Sequence, residues 1–167
     1  MPVEIKQVII NHCGPVLMGY KPAALFMLRS ENAYGCLSGL LPASLELMVL
    51  RKSEGGLLVL FFEKEKLEET LLNKNIRTVL AGIGYPMDTS VFGFLGYLKK
   101  QFEYEHFPHE VGLFLGYPAD DVLGFVKHKG RNYKLCGYWK VYGDVERAKA
   151  SFRQYDKCRE RIKAIFQ

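Results

Sequence analysis

Hydrophobic positions along this chain follow two periods, and the changes between them outline the elements. Residues 3–10 carry a short helical pattern, which Pro15 should keep from extending far because proline lacks a backbone donor. "HCGPVLMGYKPAALFMLRS" reads as a turn-rich approach to a strand near 24–29. In "ENAYGCLSGLL", Tyr34, Leu37, Leu40 and Leu41 recur at helical spacing and predict a short helix. The strongest local signal follows. "LELMVLRK" (45–52) and "LLVLFFEK" (57–64) flank "SEGG", whose glycines can take the positive φ that a tight hairpin needs. Both arms are apolar on both faces, so the hairpin belongs in a sheet covered on each side.

"KEKLEETLLNKNIRTVLAGIGYP" is helical in two pieces, broken at Asn73-Lys74-Asn75 and stopped by Gly84 and Pro86. "DTSVFGFLGYLKKQF" predicts a helix capped by Asp88, Thr89 or Ser90, with Val91, Phe92, Leu95, Leu98 and Phe102 inward. "HEVGLFLGYP" alternates and reads as a strand. "PADDVLGFVKHKG" restarts a helix with Pro118 in its first turn and Gly130 at its end. "NYKLCGYWKVYG" reads as a second alternating strand. Asp144 caps a long closing helix with Val145, Ala148, Phe152, Tyr155, Cys158, Ile162 and Ile165 as its buried stripe. The expected fold is a single α+β domain over residues 1–167. It has a mixed sheet of about five strands around the central hairpin, layered by helices.

Strand alternation divides "KLCGYWKVY" into a core face (Leu135, Gly137, Trp139, Val141) and a mixed one (Lys134, Cys136, Tyr138, Lys140, Tyr142). Gly137 leaves room for a neighbouring ring such as Trp139 or Phe114. In "HEVGLFLGYP", Gly112 and Gly116 fall on one face, so a packed helix or a ligand approaches closely there. The mixed face is either an amphipathic surface under a helix or a cleft for a flat anionic ligand.

With 49% hydrophobic and 25% charged residues, 167 residues suffice for one full core. No repeat, linker, signal-peptide pattern or run long enough to span a membrane is visible, so a soluble, cytoplasmic protein is expected. The four cysteines, at 13, 36, 136 and 158, show no CxxC spacing, which argues against a zinc knuckle. A net charge of +5 permits a polyanionic partner. The excess is concentrated late, where Arg147, Lys149, Arg153, Lys157, Arg159, Arg161 and Lys163 alternate with Glu146, Asp156 and Glu160. That alternation fits a solvated helix face with i,i+4 pairs. No nucleic-acid motif accompanies it, and neither a dinucleotide fingerprint nor a P-loop occurs.

Candidate chemistry gathers in "NHCGP" (11–15) and the later strands. Cys13 near a helix start would be an activated nucleophile, with His109 as base and Glu110, Asp120 or Asp121 orienting it, the pattern of a papain-like thiol hydrolase. The flanking signature of that class is absent, and a buried inert thiol is the plainer reading. His106, His109 and Glu110 lack the spacing of a permanent metal site. Haem needs only one or two axial donors, which His12, Cys13, His109 or Cys136 could supply.

The run "FPHEVGLFLGYPADDVLGFVKHKGRNYKLCGYWKVYGD", with His12-Cys13-Gly14-Pro15 and Lys21-Pro22-Ala23-Ala24-Leu25-Phe26 before it, resembles an uncharacterised family of anaerobic bacteria. The resemblance brings no established activity. It implies a setting in iron, haem or redox metabolism, with a flavodoxin-like protein as the redox partner to expect. The cofactor stays unassigned, haem and flavin being the two to test. The resulting expectation is a ligand- or cofactor-binding accessory protein. Its site would lie between the His12-Cys13 turn and the late strands, using His12, Lys21, Glu110, Cys136 and Tyr138. The alternatives are the thiol hydrolase using Cys13 and His109, and a polyanion binder using the last helix.

Overall fold

The apolar arms around "SEGG" pair antiparallel, as β2 (Leu45–Ser53) and β3 (Gly56–Glu63). In the computed structural model, which describes residues 1–167, β1 (Ala23–Leu28) adds to the other edge of β3, giving the order β1-β3-β2. Gly56 has φ 121°, and a Cβ there would run into the Leu28 carbonyl, so this turn position requires glycine. β3 alone is buried on both faces. Leu58, Leu60 and Phe62 enter one core, and Leu57, Val59 and Phe61 enter the other. β2 lies at an edge and has a bulge at Leu50, between the Val49 and Arg51 pairs.

One face is covered by α1 (Val3–Val8), a π-helical turn (Ile9–Cys13), α2 (Gly14–Leu17) and α3 (Glu31–Ser38). The first helix is short, as expected, but it gives way to the π turn at Ile9 and Pro15 is not what ends it. The π turn shifts the register so that Pro15 falls in the first turn of α2, where its missing N–H costs nothing. The opposite face carries α4 (Lys64–Leu72), α5 (Lys74–Gly82), α6 (Val91–Gln101), α7 (Val111–Phe114) and α8 (Ala119–His128). Asn73 separates α4 from α5, its Oδ1 accepting from the N–H groups of Asn75 and Ile76. The capping residue of α6 is Ser90, and Phe94 takes the inward place expected of Phe92, which is 47% exposed.

The late strands need correction. The sheet is antiparallel rather than mixed, and residues 109–118 form α7 and its flanking turns instead of a strand. All five residues from Val111 to Leu115 are buried, so alternation carried no information about a face. Residues 132–143 hold only a two-residue ladder, β4 (Leu135–Cys136) with β5 (Lys140–Val141), separate from the main sheet. The closing helix α9 (Val145–Ile165) is capped by Asp144, whose Oδ1 accepts from Arg147 N. It buries Ala148, Tyr155, Cys158 and Ile162, while Ile165 projects into solvent. No helix is long and apolar enough to cross a membrane.

Candidate functional site

One buried carboxylate anchors the small hairpin. Asp121, in the first turn of α8, accepts from Trp139 Nε1 at 2.7 Å through Oδ2. Its Oδ1 accepts from the backbone N–H groups of Tyr142 and Gly143, each at 2.8 Å. The Tyr142 ring lies where a Cβ on Gly124 would be, which presses the hairpin onto α8. Asp121 therefore positions the hairpin and does not orient His109. Across the hairpin, Gly137 makes room for the Phe152 ring of α9 rather than for Trp139 or Phe114. Gly112 faces Tyr117 and Val122, and Gly116 faces Pro22, so these glycines admit packing neighbours.

Between the hairpin, α7 and α8 the clamp leaves a cavity of about 380 Å³. Leu25, Val111, Leu115, Val122 and Phe125 supply its apolar wall, and Trp139 stacks on Tyr117 at 4.8 Å. His109 and Cys136 open on it. The His109 ring lies 5.4 Å from that of Phe107 and 4.8 Å from that of Phe125, and no protein group hydrogen-bonds its nitrogens. Lys140 is tied to the Gly130 carbonyl at 2.8 Å and lies over the Phe125 and Tyr133 rings. The cavity is thus an aromatic slot with an imidazole and a thiol at its wall.

A second cavity of about 240 Å³ adjoins it, sharing Leu25, Leu115, Tyr117 and Tyr138 as a common wall. Its other lining residues include Asn11 and His12 from the π turn, and Lys21 just before β1. Lys21 is 8% exposed, and its ammonium has neither a carboxylate nor a hydrogen-bond acceptor. It meets only the faces of Tyr117 at 5.4 Å and Tyr155 at 5.6 Å. Burial lowers its pKa to about 8. His12 is also held below its ordinary value, by partial burial first and then by the Lys21 and Arg159 charges. Arg159 donates to Asn11 Oδ1 at 2.9 Å, leaving the Asn11 amide N–H groups without an internal acceptor. The Tyr138 hydroxyl donates to Asp156 at 2.7 Å, and burial together with that carboxylate raises its pKa to about 12.

His12, Lys21 and Tyr138 thus surround the smaller cavity, with His109, Cys136 and Tyr138 around the larger. Cys13 and Glu110 line neither. Cys13 is sealed in the core on the other face of the sheet, and burial raises its thiol to about 12. The structure does not bring it to His109, which packs on the Phe107 and Phe125 rings at a cavity that Cys13 does not line. A thiolate nucleophile at Cys13 is therefore disfavoured, since nothing nearby lowers its pKa. Glu110 is engaged by the Tyr85 hydroxyl at 3.0 Å. No group of three or more His, Cys, Asp or Glu side chains is placed to hold a metal ion. On α9 the expected i,i+4 pairs are replaced by a single i,i+3 pair, Lys149–Glu146, while Asp156 turns to Tyr138.

Sequence reasoning missed the Asp121 clamp, Asn11 and the wall formed by Tyr117 and Phe125. The clamp was legible only as an acid in a helix's first turn, a position with many ordinary explanations. Asn11 adjoins His12, and nothing in its local pattern distinguished it. No curated protein and no solved structure matches the chain. A family model described as "Protein of unknown function (DUF3793)" matches residues 9–167, which covers the π turn, both cavities and the clamp. The chain belongs to this family.

Proposed function

We propose that the protein is a cytoplasmic ligand- or cofactor-binding accessory protein whose ligand is a flat, largely apolar molecule held in the aromatic slot. The observation that carries this reading is the 380 Å³ cavity itself, set between anchored elements and walled by Tyr117, Phe125 and Trp139. Its size falls within the usual range for small-molecule sites, about 300–1,000 Å³. Haem and flavin are the flat cofactors raised by the family resemblance and its setting in anaerobic iron, haem or redox metabolism. The lining suits either. His109 or Cys136 would hold a haem iron, and the aromatic wall would pack on a flavin ring. Bound there, either group would supply electron-transfer chemistry, with a flavodoxin-like protein as a fitting partner.

The test is the absorption spectrum of protein purified from an anaerobic host, before and after addition of haemin or flavin mononucleotide. Saturation near one equivalent by one of them is expected. Cys136→Phe, at an exposed position on the cavity wall, should abolish it without lowering the melting temperature. Spectra equal to the sum of protein and free cofactor, for both additions, would contradict the reading.

A further inference from the structure

We propose that Lys21 forms an anion-binding subsite at the end of the aromatic slot, so that the ligand carries an acidic group of carboxylate, phosphate or sulfonate type. The inference rests on the slot being the ligand site; it gives the anionic charge expected of the ligand a physical basis and adds the place where that charge is met.

Lys21 is an ammonium that folding has largely withdrawn from water without giving it a counter-ion. Its surroundings add positive charge through Arg159 and donors through Asn11, while Asp156 is occupied by Tyr138 and forms no ion pair with Lys21. The amine faces a cavity and is not sealed in the core. With its pKa at about 8 it is still mostly protonated at neutral pH. An acidic group there would gain an ion pair and charge-assisted hydrogen bonds in a partly dry site, where such bonds are strong. The shared wall of Leu25, Leu115, Tyr117 and Tyr138 lets one molecule reach both cavities.

Two fluorescent probes of similar shape separate the two ideas: neutral phenylnaphthylamine and anionic anilinonaphthalenesulfonate. At pH 7 the sulfonate should bind at least about tenfold more tightly than the neutral dye. Lys21→Met should remove that preference and leave the neutral dye within about twofold, while Lys21→Arg should keep part of it. Displacement of the sulfonate by inorganic phosphate assigns the acidic group to phosphoryl ligands, and displacement by benzoate alone assigns it to carboxylates. A sulfonate preference that survives Lys21→Met overturns the subsite. Failure of the neutral dye alone, with sulfonate binding still dependent on Lys21, overturns the slot and leaves the subsite standing. Binding of neither dye overturns both.

Discussion

Asp121→Ala should destabilise the protein by about 4 kcal/mol and lower its melting temperature by roughly 10 °C. Three N–H donors lose their acceptor at once, those of Trp139, Tyr142 and Gly143. Hydrogen bonds to a charged group contribute about 1.5–3 kcal/mol each, and donors left buried add their desolvation cost. The sum is smaller than three separate losses because the hairpin, once released, can rehydrate its backbone. Asp121→Asn separates the contributions. Its carbonyl oxygen can still serve Tyr142 and Gly143, but its amide then faces the Trp139 N–H, donor against donor. About half the loss should remain. Thermal melts of both variants, together with a red shift of the Trp139 emission, check the gradient. Equal stability of the parent and the alanine variant would remove the clamp.

Lys21→Met should act in the opposite direction and stabilise the ligand-free protein. A folded-state pKa of about 8 against the ordinary 10.5 corresponds to roughly 3 kcal/mol of unfavourable charge burial at neutral pH. Methionine keeps the apolar stem and removes the charge. Losing the contacts with the Tyr117 and Tyr155 faces offsets about 1 kcal/mol of that gain. The net gain is about 2 kcal/mol, or roughly 5 °C in melting temperature. Its pH dependence follows from the proton balance. Between about 8 and 10.5 the unfolded chain holds a proton on Lys21 that the folded chain has released, so stability from this group rises with pH. The surrounding titratable and charged groups are His12, Arg159, Tyr117 and Tyr155. Tyr138 and Tyr155, raised to about 12, work against folding once free tyrosine ionises near pH 10. The difference between parent and variant cancels that tyrosine contribution. It should be largest below pH 8 and shrink toward pH 10.5. Urea melts at pH 7 and 9.5 measure it. A variant less stable than the parent at pH 7 would show that Lys21 has a stabilising partner. A residue that weakens its own fold while facing a cavity is what a binding site looks like before its ligand arrives.

The fold was legible where local chemistry and burial agree. Gly56 needs its positive φ for the hairpin, Asn73 caps a helix, and the α9 stripe follows helical spacing. It was illegible where the environment overrides the period. Val111 to Leu115 are buried on every side, so a helical turn and a buried strand look alike in the sequence. The hairpin of residues 132–143 is held by a carboxylate on another element, which strand alternation cannot report. The same split applies to the site. Lys21 was raised by the Lys21-Pro22 element of the family resemblance and Tyr138 by the mixed face of its strand, and both line cavities. Cys13 stood out equally, but it is sealed in a core cluster that also holds side chains from β1 and β3, assembled only by folding. Residue type raises each of these as a candidate, and only the packing around them tells a facing wall from a sealed core.

Trp139 is the chain's single tryptophan, it lines the aromatic slot, and its indole N–H is fixed on Asp121. In a ¹H–¹⁵N spectrum it gives one isolated indole signal that reports on the slot. Titration with flavin mononucleotide, and separately with zinc protoporphyrin as a diamagnetic stand-in for haem, follows that signal directly. Occupation of the slot predicts a saturable shift of the indole peak with one of the two, accompanied by the backbone peaks of Gly112 and Gly137. An indole peak that stays in place with both probes would contradict the account.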